Sequence, residues 1–300
     1  MSIWQGRFDG DDILHHRIFQ RVTTVDTAVL PGDFVLHGFS VDEGVRRNKG
    51  RVGASESPDI IRKNMSNFPV ISPEFRIIDK GNIYCENGNL EEAQQNLANA
   101  TAEALTKNAK SLVIGGGHEV TFAHYSGIRK AFPNQKIGII NIDAHFDNRE
   151  NDEPTSGTGF RQIANEETIH SLHIGIQRNS NTLKLFDTAH QTGMKYILAD
   201  EIFFENLPSV YLKIDELADY VDVLYLTICM DVFNAAIAPG VSAPAYNGIF
   251  ADAAFMHFYK HILKNEKLVA LDVAEVNPNY DLQDRTARLA ASLINEWFMA

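Results

Sequence analysis

The chain is poor in cysteine, in positive charge and in long apolar runs. Its 300 residues include two cysteines, Cys85 and Cys229. That excludes a disulfide framework and fits a reducing compartment. No run reaches about 18 apolar residues, so no membrane-spanning helix is expected. The N-terminal stretch MSIWQGRFDGDD lacks the basic segment and apolar run of an export signal. The expected location is therefore the cytoplasm. Lys and Arg number 27 against 39 Asp and Glu, a net charge of −12. Such a balance suits neither nucleic acid nor an anionic membrane as partner. It leaves small substrates open, because a bound metal reverses the local field.

What is present is a regular alternation. Apolar residues are 44% of the chain, enough for a large buried core. Short apolar runs predict strands at Phe34–His37, Phe75–Ile78, Ser111–Ile114, Ile137–Ile142, Ile169–Ile174, Lys195–Leu198, Val223–Ile228 and Leu268–Val273. Several are continuously apolar, as in strands covered on both faces. Amphipathic stretches predict helices at Leu90–Ala109, Glu119–Ala131, Pro208–Tyr220, Asp252–Lys264 and Asp284–Trp297. Strand–helix alternation of this kind implies a mainly parallel sheet between helix layers. With no repeat and no low-complexity linker, residues 1–300 read as one domain. Arg46–Pro58 and Asn148–Thr158 read as polar surface loops. In open parallel sheets, loops at the carboxyl ends of strands build the ligand site.

Four such strand ends carry reactive groups. NIDAHFDNR (Asn141–Arg149) follows the strand Ile137–Ile142 and spaces Asp143, His145 and Asp147 by two. On an extended backbone these side chains share a side. Two carboxylates and an imidazole suit a divalent ion such as Mn, Zn, Co or Ni; a solvated polar strand end is the plain alternative. GGGHE (Gly115–Glu119) turns at a second strand end and puts His118 at the same rim. It lacks the spacing of a nucleotide-binding loop, and a lone His there can be merely structural. TICMDVFNAAIAPGVSAP (Thr227–Pro244) offers Cys229 and Asp231 at a third. Cys229 is a soft ligand when ionised, or a buried thiol. LDVAEVNP (Leu271–Pro278) ends the last strand with Asp272 and Glu275. A carboxylate there can hold a cationic group, take a proton or cap a helix. His124, five residues past Glu119, reads as packing or surface.

Together these segments resemble the ureohydrolase family of arginases, agmatinases and formimidoylglutamases. GGGHE, DAHFD, TICMDVFNAAIAPG and DVAEVNP match its metal and terminal Glu motifs in order from about Phe34 onward. The resemblance implies a three-layer α/β/α sandwich around an eight-stranded parallel sheet. It implies two Mn2+ ions, one held by His118, Asp143, Asp147 and position 229, the other by Asp143, His145, Asp231 and position 229. It also implies a homo-oligomer. Cys229 departs from the family, which usually has Asp there; a thiolate is softer than a carboxylate, and Mn prefers oxygen.

SGTxFxQI (Ser156–Ile163) and APGVSAP (Ala238–Pro244) resemble formimidoylglutamase features. The expected reaction is then hydrolysis of N-formimidoyl-L-glutamate to L-glutamate and formamide by a metal-bound hydroxide. Asp231 is the expected proton carrier and Glu275 the expected amidinium receptor. Two substrate carboxylates need cations, for which Arg161 and Arg178 are the candidates. An agmatinase or guanidino-acid hydrolase releasing urea is one alternative. A metal- or ligand-binding relative without turnover is another. The Arg46–Pro58 loop is a candidate lid because of its basic residues.

Overall fold

The computed structural model describes residues 3–24, 27–71 and 75–300. Met1 and Ser2 of the N-terminal stretch lie outside them. In chain order the strands are β1 (Val22–Thr24), β2 (Phe34–Ser40), β3 (Ile77–Tyr84), β4 (Lys110–Ile114), β5 (Ile137–Ile142), β6 (His170–Ile176), β7 (Lys195–Leu198), β8 (Val223–Cys229) and β9 (Leu268–Ala274). The helices are α1 (Glu43–Arg47), α2 (Ser57–Met65), α3 (Leu90–Thr106), α4 (Val120–Ala131), α5 (Gly159–Glu166), α6 (Leu183–Thr192), α7 (Leu207–Tyr220), α8 (Ala253–Leu263) and α9 (Arg285–Phe298).

Among the described residues all nine strands join one parallel sheet, in the order β1-β3-β2-β4-β9-β8-β5-β6-β7. Parallel neighbours need long crossovers, and the helices supply them. Every residue of β5 and β8 is buried, which explains why they are apolar apart from Asn141 and Thr227. Alternate residues feed two cores. Leu112, Ile114, Leu226 and Leu271 pack with α2, α7, α8 and α9 through Ile61, Ile214, Phe258 and Trp297. Val113, Ile139 and Tyr225 face the other layer, where Leu97 of α3, Ile128 of α4, Phe160 of α5 and Ala189 of α6 cover them. Each fully buried Leu, Ile or Phe contributes about 1.5–3 kcal/mol. The expected three-layer α/β/α sandwich is the observed one.

Three differences are informative. The sheet has nine strands, not eight: β1 adds three residues at the edge beside β3, too few for a periodic signal. Arg46–Pro58 is not one loop: Arg46 and Arg47 end α1, and Ser57 and Pro58 begin α2, where proline at the first turn loses no hydrogen bond. Helices α5 and α6 are short and were masked by the polar segments around them. Among the described residues no helix is long and apolar enough to cross a membrane.

The topology decides where a site can form. β4, β9, β8 and β5 are consecutive in the sheet, although β4 and β9 lie far apart in the chain. Their ends are in register, with Ile114 beside Val273, Val273 beside Ile228, and Ile228 beside Ile142. All four reactive segments therefore emerge side by side at the carboxyl edge.

Candidate metal centre

The turn after β4 is held tightly. A Cβ on Gly116 would lie 1.7 Å from the Val41 carbonyl oxygen, so only glycine fits there. The Glu275 N–H donates to the Gly116 carbonyl at 2.8 Å, and the His118 N–H donates to Glu275 Oε1 at 2.9 Å. The turn and the end of β9 thus position each other.

Strand β5 stops at Ile142, and the chain then bends. The alternation expected for Asp143, His145 and Asp147 does not come from a continued pleat. Asp147 takes a left-handed conformation, φ 43°, and folds its side chain back to His118. Glu275 is left-handed as well, φ 68°. Non-glycine residues pay of order 1 kcal/mol or more for such geometry, and it recurs at functional sites.

Six of the expected groups converge. His118 Nδ1 lies 2.8 Å from Asp147 Oδ2 and 3.0 Å from Asp143 Oδ2. His145 Nδ1 lies 3.2 Å from Asp231 Oδ2 and 3.5 Å from Asp143 Oδ1. Two sets offer ligand atoms within 4.8 Å of one another: His118, Asp143 and Cys229, and Asp143, His145 and Asp231. Asp143 belongs to both. Glu275 lines the same cleft, of about 130 Å³.

The electrostatics call for a cation. Burial pushes the Glu275 carboxyl well up, and the charges of Glu119 and Asp231 push it further. Burial, then the charge of Asp143, raises Asp147. Burial also lifts the Cys229 thiol, with Asp143 and Asp231 adding to it. For Asp143 burial acts upward, but hydrogen bonds from His118 and His145 outweigh it and hold the carboxyl below the usual range. Both histidines are held well above the usual imidazole value, against burial, by these carboxylates. Asp231 Oδ1 is buried without a hydrogen-bond partner. Clustered carboxylates, imidazoles facing inward and an orphaned oxygen are what a divalent ion would satisfy.

Behind His118 lies a second set of buried groups that sequence reasoning missed. His118 Nε2 is 2.9 Å from Thr227 Oγ1. Thr227 donates to Asp272 Oδ1 at 2.6 Å. Tyr225 donates to Asp272 Oδ2, and His124 Nδ1 is 2.7 Å from the same oxygen. His124 Nε2 meets Ser111 Oγ at 2.9 Å. Asp272 therefore faces the sheet interior and does not reach the cleft with Glu275. His124 is fully buried and polar-bonded, not surface. A charged residue inside an apolar strand was the available signal.

Arg161 and Arg178 do not line the cleft. Arg161 is half-buried and 3.6 Å from Glu150. Arg178 pairs with exposed Asp200 beside a separate cavity of about 390 Å³, lined also by Ile202 and Phe250. The cleft's arginine is Arg149, two residues past Asp147, accompanied by Asn48 and Ser156. The loop at 46–58 is pinned rather than free. Arg51 donates to the Ser242 carbonyl at 2.9 Å and covers the Tyr280 ring at 3.9 Å. Arg47 is engaged by Glu43 and Glu91.

Fold and site together define a class: a parallel α/β/α protein with a carboxylate–imidazole cluster at the carboxyl ends of its central strands. The chain belongs to the arginase family, whose model matches residues 32–300. It is 42% identical to a formimidoylglutamase of Staphylococcus carnosus, covering 99% of this chain and 97% of that one. It is 39% identical to a formimidoylglutamase of Staphylococcus aureus with the same coverage. Among solved structures, it shares the fold of a Bacillus subtilis formimidoylglutamase, with TM-score 0.87, 22% identity, and 95% and 91% of the two chains covered. A Trypanosoma cruzi formiminoglutamase variant solved with Mn2+ aligns with TM-score 0.81 and 25% identity over 89% of this chain and 92% of that one.

Proposed function

We propose that this protein hydrolyses N-formimidoyl-L-glutamate to L-glutamate and formamide. One observation carries the reading: Asp143 is shared by two ligand clusters, one with His118 and one with His145, in a chain 42% identical to a formimidoylglutamase along almost its whole length. In the same reading, His118, Asp143 and Asp147 would hold one Mn2+ ion and Asp143, His145 and Asp231 a second, with Cys229 beside the His118 set. When bound, such ions act as Lewis acids that make water ionise near neutral pH.

The chain's own residues do the rest. Glu275 accepts hydrogen bonds from the planar amidinium, whose positive charge offsets the burial that otherwise keeps this carboxyl protonated. Asp231, with one oxygen unpartnered, takes a proton from the attacking water and returns it to the leaving nitrogen. Water adds to the amidine carbon, the bond from that carbon to the glutamate nitrogen breaks, and the protonated amine departs. Arg149, with Asn48 and Ser156, receives a substrate carboxylate at the cleft rim. The participation of all nine strands in one sheet supports a single 1–300 unit. The homo-oligomer implied by resemblance belongs to this proposal, and sedimentation velocity tests it.

The deciding experiment supplies Mn2+ to the purified protein and offers N-formimidoyl-L-glutamate beside agmatine and guanidino acids. Equal release of formamide and glutamate is expected. Urea release from a guanidino compound, with no formamide, would overturn the substrate assignment. Metal uptake without turnover of any of them would make the chain an inert relative.

A further inference from the structure

The geometry points to Asp272 as a positioning residue that acts through Thr227 to decide which nitrogen of His118 faces the metal centre. This inference rests on the reading of His118 as a metal ligand.

Asp272 stands in the middle of β9, fully buried, with Thr227 of β8 and Val113 of β4 as its register partners. Removing a carboxylate from water costs several kcal/mol unless hydrogen bonds replace the solvent. Here three donors do so: the Thr227 hydroxyl, the Tyr225 hydroxyl and His124 Nδ1. Burial holds the Tyr225 phenol well above its ordinary range, so it keeps its proton and donates. A carboxylate oxygen accepts, so all three contacts run toward Asp272.

That direction propagates. A threonine hydroxyl has one proton, and Thr227 spends it on Asp272 at 2.6 Å. Thr121 Oγ1, at 3.4 Å, does not compete with so short a contact. Thr227 Oγ1 can therefore meet His118 Nε2, 2.9 Å away, only as acceptor. Nε2 must carry hydrogen. To ligate a metal ion the imidazole must give up its second proton and be neutral, with a single N–H, which leaves the lone pair on Nδ1. Nδ1 is the atom that faces Asp143 and Asp147. The same reasoning makes His124 donate through Nδ1 and accept from Ser111 through Nε2. His145, the imidazole of the other cluster, has no contact with this network. The wiring is one-sided, and its loss should weaken one ion more than the other.

A merely structural Asp272, riveting β8, β9 and α4 together, predicts something else: general loss of stability with both ions affected alike. Three variants separate the two. Thr227→Val removes the hydroxyl at nearly constant volume. Thr227→Ser keeps it. Asp272→Asn can turn an amide N–H toward Thr227, reversing the hydroxyl so that it donates to Nε2 and favours the wrong tautomer. The readouts are calorimetric titration of the metal-free protein with Mn2+ alone, and ring ¹⁵N shifts of His118 in the protein loaded with diamagnetic Zn2+.

In Thr227→Val one of two Mn2+ binding steps should weaken about 10- to 100-fold, the range for loss of a ligand's outer hydrogen bond. The other step should stay within about twofold. Thr227→Ser should restore wild-type binding. The ¹⁵N shifts should report hydrogen on Nε2 in wild type and Thr227→Ser. Asp272→Asn combined with Thr227→Val should be no weaker in binding than the worse single variant, since both break one path. Wild-type affinity for both ions in Thr227→Val would overturn the inference, as would equal weakening of both or hydrogen on Nδ1 of wild type. If Asp272→Asn does not fold, the Thr227 pair decides alone. If the wild-type protein takes up no divalent ion, the metal reading has failed, and this inference fails with it.

Discussion

The backbone N–H of His118 donates to Oε1 of Glu275 at 2.9 Å, joining strand ends 157 residues apart in the chain. One carboxylate oxygen of Glu275 is thus committed to the turn that carries His118. Glu275→Gln preserves an acceptor for that N–H but removes the charge. Its kcat/KM should fall about 100- to 1,000-fold, the scale for losing one electrostatic contact in a dry site. Metal content, measured by elemental analysis, should be unchanged. Near-normal turnover would remove Glu275 from the substrate site.

Asp143 faces both imidazoles. Asp143→Ala should therefore abolish both Mn2+ binding steps in calorimetry and reduce turnover to background. Loss of only one step would mean that the two clusters do not share this carboxylate.

Burial, and then the charges of Asp143 and Asp231, push the Cys229 thiol well up. Cys229→Asp places a hard oxygen ligand where a soft sulfur stands. Mn2+ should bind about tenfold more tightly, while preference for Zn2+ or Cd2+ declines. The metal-free variant should melt at a lower temperature, because a further buried negative charge is unpaired there. Unchanged ion preference in competition titrations would show that Sγ does not touch the ions.

Arg149 lines the cleft and Arg178 lies on another cavity. Arg149→Ala should raise KM for N-formimidoyl-L-glutamate about 10- to 100-fold, matching the 1.5–3 kcal/mol of a hydrogen bond to a charged group. Arg178→Ala should leave KM and kcat near wild type. The reverse pattern would move the carboxylate receptor to Arg178.

His37 supplies a pH dependence of stability away from the cleft. It is buried in β2, its Nδ1 has no hydrogen-bond partner, and burial, helped by His124, pushes it down to about 4. The unfolded imidazole titrates near 6.5, so the unfolded chain takes the proton first as pH falls. Stability from this group is full above about pH 6.5 and is lost between 6.5 and 4, on the order of 3 kcal/mol in all. Urea unfolding of His37→Leu should show a smaller loss between pH 7 and 5 than wild type, by about 2 kcal/mol. Parallel curves for the two proteins would assign the acid sensitivity elsewhere.

Much of the architecture was legible from local pattern. Largely apolar runs such as Ile137–Ile142 announced strands covered on both faces, and alternation with amphipathic stretches announced the parallel sheet. The edge strand Val22–Thr24 escaped because three half-exposed residues carry no period. Arg149 stood unassigned inside a quoted motif, since charge in a loop has no direction until the loop is folded. Arg161 and Arg178 carry the same kind of loop charge, and the fold sets them beside Glu150 and Asp200, outside the cleft. Asp272 and Glu275, three residues apart, fall on opposite sides of an extended strand, and the structure sets Asp272 in a buried network and Glu275 in the cleft.

By itself the sequence determined the element types, the sheet class and which residue types stand at strand ends, because side-chain periodicity and turn chemistry are local properties. Only the tertiary structure decided that β4, β9, β8 and β5 lie next to one another, that Asp143 serves two clusters, and that Thr227 and Asp272 stand behind His118. The reason is physical: strand order is settled by crossover packing and burial over the whole chain, and no short window of residues encodes it.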